Sequence, residues 1–181
     1  MDEATINDTE AGLVVQTEGW FVLNAAEASW EHIPGTDSGT WCAFESDEEV
    51  RQYGIGVHVL MPGQANGRYH SESDQEDFLV LSGECLAIVE GEARRLRQWD
   101  LFHCPPGTEH ILVGAGDGPC AILMVGARTP GKTIHYPVNE VAARHNASVS
   151  QETYDPKAAY ADLPRDVIRV RAPWPIDAAQ G

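Results

Sequence analysis

Cationic side chains are scarce in this sequence. Lys and Arg number 12 against 28 Asp and Glu, leaving a formal net charge of −16 over 181 residues. Nucleic-acid binding depends on neutralising phosphates with Lys and Arg, so this balance argues against a nucleic-acid partner. Long apolar runs are also missing. A membrane-spanning helix needs about 20 apolar residues, whereas the longest apolar stretch, Cys120 to Val125, is strand-sized. No membrane partner is expected. The N-terminus, MDEATINDTE, has neither a basic segment nor an apolar one, so no signal peptide is expected and the reading is cytoplasmic. The four cysteines, Cys42, Cys85, Cys104 and Cys120, form no C-x-x-C pair, which speaks against a zinc ribbon or a thioredoxin-type motif. They read as reduced, buried core residues. A phosphate loop, a G-x-S-x-G elbow and a dinucleotide fingerprint are absent too.

What is present is a rhythm of short strands. Trp41–Phe44, Gly54–Leu60, Phe78–Leu81, Cys85–Val89, Leu101–Cys104, Ile111–Val113 and Ala121–Val125 are apolar or alternating. Turn residues separate them, among them Pro62-Gly63, Ser82-Gly83, Glu90-Gly91 and Pro105-Pro106-Gly107. Regularly spaced short strands of this kind predict an all-β sandwich or barrel. The expected organisation is an N-terminal arm and short helix (1–40), a barrel (41–128) and a C-terminal extension (129–181) packing on the barrel or a partner subunit. Residues 1–15 read as a flexible or loosely docked arm. Trp20 to Leu23 reads as a strand, and Asn24 as the cap of a helix over Ala25 to Trp30. Short helices are expected over Val138–His145 and Pro156–Ala161, and an extended end over Ala172–Pro175. The acidic runs Asp2–Glu10 and Glu45–Glu49 read as solubilising.

The chemistry gathers in the barrel. His70 and Glu72 lie two residues apart on a predicted strand, so their side chains share a face. Glu76 follows, and if it points inward so do Phe78 and Val80. His110 comes after the Pro-rich turn. Two buried carboxylates raise each other's pKa and are costly to desolvate, and a divalent cation relieves both problems. Imidazole with carboxylate suits Fe, Mn, Ni or Zn, and two His with one carboxylate is the facial set of non-haem iron sites.

The spacing of these residues resembles the two motifs of the cupin superfamily. His70 takes the first His place, Glu76 the Glu place, and six residues lead to Gly83. Pro105-Pro106-Gly107-Thr108-Glu109-His110 matches the centre of the second motif. The stretches Glu76 to Leu81 and Trp99 to Pro105 are similar to bacterial single-domain cupins. The resemblance covers residues 41–126. It implies a double-stranded β-helix (a cupin or jelly-roll barrel) with short helices at the termini. It also implies one divalent transition metal per chain on His70, Glu72, Glu76 and His110, a small-molecule ligand and a homodimer. There are three departures: Glu72 stands in place of the second His, Trp99 in place of a Gly, and Gly114 in place of an Asn. Glu72 is accordingly read as a fourth ligand, or as a nearby carboxylate that moves a proton in catalysis.

Other candidates read as structural: His58 and His103 within strands, His135 and His145 in the tail, and Tyr69 packed away from His70. Arg94, Arg95 and Arg97 read as the exposed side of a hairpin strand. Gln64, Asn66 and Arg68 flank the expected barrel mouth, where a polar ligand would meet them. Trp41, Trp99 and Phe102 read as core or interface aromatics. Two functions fit. One is a metalloenzyme acting on a small polar metabolite with dioxygenase-like or sugar-isomerase-like chemistry. The other is a non-catalytic ligand-binding or metal-stabilised structural protein. An open cavity at the metal site favours the first, a plugged barrel the second.

Overall fold

The computed structural model describes residues 2–45 and 52–173. The rest of the acidic run after Glu45, and Trp174 and Pro175 of the expected extended end, lie outside the described residues. The strands are β1 (Ile6–Thr9), β2 (Gly12–Val15), β3 (Trp30–His32), β4 (Thr40–Ala43), β5 (Tyr53–Leu60), β6 (Ser71–Glu72) and β7 (Glu76–Ser82). They continue with β8 (Glu84–Val89), β9 (Glu92–Arg97), β10 (Leu101–Cys104), β11 (His110–Ala115), β12 (Cys120–Ala127) and β13 (Ile134–His135). Two one-turn helices, α1 (Glu140–Ala143) and α2 (Pro156–Ala159), and a strand, β14 (Ile168–Val170), complete the elements of the described residues.

Every named strand pair is antiparallel. One sheet runs β10-β7-β12-β5-β4-β3-β14 and a second runs β11-β8-β9. Their facing surfaces enclose a core of Leu60, Phe78, Val80, Cys85, Ala87, Leu112, Cys120 and Ile122. Strand alternation places these residues. In β7, Phe78 and Val80 point in, and they pair across to Met124 and Ile122. In β11, Leu112 points in while Ile111 and Val113 point out. The outer face of β11 is covered as well, because Tyr69 and the tail residues Ala142 and Ala147 pack on Ile88, Ile111 and Val113. Burial on both faces explains why β11 is apolar after His110.

The seven strands expected between Trp41 and Val125 are all present. The N-terminal expectations need correction. Of the expected loose arm, the described residues 2–15 are not loose: β1 and β2 form a hairpin whose Val14 and Val15 are buried. Trp20 to Leu23 makes only a single bridge, Glu3 to Trp20, and no strand. Asn24 does cap a turn, with its side chain accepting from Ala26 N–H, but the turn ends at once and Trp30 enters β3. Pairing of Trp30 with β14 and its complete burial outweigh a local helical turn. The two C-terminal helices form where expected but span one turn each. All four cysteines are buried free thiols.

Candidate functional site

Three elements bring the site together. Glu76 opens β7, His110 opens β11, and His70 precedes β6 and bridges His110 through paired backbone hydrogen bonds. The turn Pro105-Pro106-Gly107 delivers the chain into β11. Gly107 has φ +85° and donates its N–H to the Glu72 carbonyl at 2.7 Å, which seats the turn on the site. The two imidazole rings lie 4.8 Å apart at their centroids, and Phe78 and Phe102 pack against His110.

The hydrogen bonds decide which ring nitrogens face the site. His70 Nδ1 lies 2.7 Å from the Arg68 carbonyl, and His110 Nδ1 lies 3.0 Å from the Thr108 carbonyl. A carbonyl only accepts, so in both rings Nδ1 carries the proton and donates. Cys104 Sγ sits 3.2 Å from the same His110 Nδ1. The Nε2 atoms are turned toward Glu76 Oε2, at 3.6 Å from His70 and 3.3 Å from His110. Glu76 Oε2 and His110 Nε2 are buried and have no hydrogen-bond partner. Ligand atoms of the three side chains all fall within 4.8 Å of one another. Two imidazole nitrogens backed by carbonyls and one carboxylate oxygen fit a divalent transition metal, with the outer hydrogen bonds such ligands require.

The electrostatics agree. Burial raises the Glu76 carboxyl, but His110 and His70 outweigh it and hold the group down at about 2. Burial lowers His110, while Cys104 and Glu76 overcome it and raise the imidazole to about 9. His70 is raised on balance, burial being outweighed mainly by Glu76. The pocket therefore favours positive charge beside Glu76, whether protons or a cation.

Glu72 is the one expected ligand that the structure sets apart from this group. Its carboxylate accepts from Lys132 Nζ at 2.8 Å, because the turn between β12 and β13 lays Lys132 across it. It still lines, with Glu76, a cavity of about 250 Å³ whose wall includes Trp41, His58, Met124, Arg128 and Lys132. His103 instead pairs with Asp77 at 2.7 Å on the outside, and His135 pairs with Glu152. Arg94, Arg95 and Arg97 are exposed on β9. Arg68 is buried and ion-paired with Asp162.

Sequence reasoning missed four neighbours of the site. Lys132, Tyr136 and Tyr160 come from the tail, where no strand rhythm or spacing signals them. Tyr136 lies 5.8 Å from the His70 ring and meets Tyr160 edge-on at 5.9 Å. Cys104 was visible only as a core residue.

Residues 56–126 match the Cupin domain family. This stretch of the chain is a cupin domain. Among solved structures the chain is similar to a sugar phosphate isomerase of the cupin superfamily from Silicibacter pomeroyi, with 25% identity and a TM-score of 0.51. That match covers 56% of this chain and 66% of that protein, so slightly less than two thirds of its length. It is also similar in fold to a predicted oxalate decarboxylase from Thermotoga maritima (20% identity, TM-score 0.53, covering 60% of this chain and 100% of that one). A third is a polyketide cyclase from Streptomyces resistomycificus (15% identity, TM-score 0.55, covering 81% and 95%). These two likenesses show the cupin fold alone. No curated protein matches the chain. Among the described residues, no helix of this cupin is long and apolar enough to cross a membrane.

Proposed function

We propose that this cupin is a metal-dependent enzyme acting on a small polar metabolite. One divalent transition metal, of the Zn, Fe, Mn or Ni class, is held by His70, Glu76 and His110. The observation carrying this reading is the convergence of unpartnered Glu76 Oε2 and His110 Nε2 with His70 Nε2 in a buried site. A bound metal supplies Lewis acidity toward a substrate oxygen. Glu72, in the wall of the same cavity, is the residue that moves a proton, and Lys132 fixes its orientation. Phe78 and Phe102 shield the His110 side from water. The cavity beside Glu76 favours an enzyme over a metal-stabilised scaffold, since a reactant has room to enter. The homodimer implied by the family belongs to the same proposal. It is supported by exposed Trp99 and Leu101 beside the edge strand β10.

Elemental analysis of the purified protein beside a His70→Ala/His110→Ala double variant tests this. About one metal per chain, lost in the variant, is expected. An absence of metal after reconstitution would overturn the reading, and the element found separates oxygen chemistry from Lewis-acid chemistry.

A further inference from the structure

A second, larger cavity of about 790 Å³ adjoins the first, a volume in the range of small-molecule pockets. It lies between the β3–β4 loop, the segment 65–68 and tail residues 143–164. Trp41 and His58 line both cavities. Asn66 lines the larger, and its Nδ2 touches Met124 Sδ of the smaller at 3.7 Å. These four side chains form the junction between the two.

The chemistry of the larger chamber narrows what it can take. Arg68 is the only Lys or Arg among the described residues lining it. Asp162 holds the Arg68 guanidinium through both carboxylate oxygens, at 2.8 and 2.7 Å, and the Asn146 carbonyl accepts from Nη1 at 2.6 Å. Asp37 adds a further negative charge. The Arg68 guanidinium is thus committed to protein partners. Besides the committed Arg68, the described lining residues offer an anion only the imidazoles of His58 and His145. The walls present flat rings: Trp41 and His58 are stacked at 6.2 Å and 24°, and Tyr160 also lines the chamber. Burial pushes His58 down to about 4, so its ring is uncharged at neutral pH.

We propose that this chamber binds the body of an uncharged, planar ring compound, and that it excludes sugar phosphates and other anions. Aromatic walls suit such a body. Placing its reacting end in the smaller cavity beside Glu76 rests on the function proposed above; binding in the chamber does not.

The test is calorimetric titration of the full-length protein with 2-naphthol and, separately, with glucose 6-phosphate, each in EDTA and after metal loading. Saturable one-site binding of 2-naphthol is expected in both states, with no binding of glucose 6-phosphate in EDTA. Two variants locate the site. Ser150→Trp, at an exposed lining position, fills the mouth, and His58→Leu removes a ring. Each is expected to weaken 2-naphthol about tenfold or more, with metal content unchanged. Equal affinity for 2-naphthol in wild type and both variants, or binding of glucose 6-phosphate in EDTA as tight as that of 2-naphthol, overturns the proposal. A protein that takes up no metal yet binds 2-naphthol through these residues overturns the proposed function and leaves the chamber standing. A protein that takes up metal but no 2-naphthol does the reverse.

Discussion

Two carboxylates four residues apart have different surroundings here. Glu76 faces two imidazoles, whereas Glu72 is held by Lys132. Glu76→Gln is therefore expected to abolish metal uptake, because an amide is a poor ligand for a divalent ion. Glu72→Gln keeps the shape but cannot accept a proton. It is expected to retain the metal and lose about 10²–10⁴-fold in turnover. Metal content and activity of both variants, measured together, check this; a Glu72→Gln protein that loses its metal would make Glu72 a ligand. The motif departures have local physical readings as well. Trp99 sits at φ +74° and is 68% exposed, so it carries backbone strain with little packing in return. Trp99→Gly is expected to gain about 0.5–1 kcal/mol in chemical denaturation, the relief of strain exceeding the entropy cost of glycine. Gly114 stands where a Cβ would lie 2.3 Å from the Met61 carbonyl oxygen. A family Asn could not fit there, and Gly114→Ala is expected to cost about 1–3 kcal/mol.

At the scale of elements, what the sequence announces depends on how each element is held. Strands β5, β7, β8 and β12 alternate or run apolar between Gly and Pro turns, so period and punctuation agree. His70, Glu76 and His110 were legible because spacing within and after those strands is fixed by the motifs. The hairpin β1–β2 was illegible because its stability comes from contacts distant in sequence: the bridge from Leu13 to Ala28 and the burial of Val14 and Val15. The same holds for β14, whose exposed IRV sequence becomes a strand only by pairing with β3. Lys132 and Tyr136 reach the site through tail geometry that no local pattern encodes. Because β11 is packed on both faces, Ile111 supports the site from behind as surely as His110 lines it. Ile111→Ala is expected to cost about 2–5 kcal/mol, measured by urea unfolding. Asn139, whose side chain accepts from Val141 and Ala142 N–H, caps α1 alone. Asn139→Ala is expected to cost only about 1 kcal/mol.

Across the whole molecule the titrating groups combine into a stability profile that metal should reshape. In the metal-free protein, His110 titrates at about 9 rather than 6.5. Its contribution is complete below pH 6.5 and is lost as pH rises through 9. His58 titrates at about 4 rather than 6.5, so its contribution is complete above pH 6.5 and fades as pH falls toward 4. Glu76, held at about 2 instead of 4.5, adds a loss at still lower pH. Together these place the metal-free optimum near pH 6.5, with stability declining on both sides. Metal binding needs His70 and His110 without their Nε2 protons, so the stabilisation it adds grows with pH. The acid limb should be shared by both forms, since His58 is not a ligand. The alkaline limb should separate them. Calorimetric Tm values between pH 5 and 9.5, in EDTA and with one equivalent of metal, measure both. The expected result is a Tm that falls above pH 7 in EDTA and holds or rises with metal. Parallel curves in the two conditions would place any bound metal away from His110.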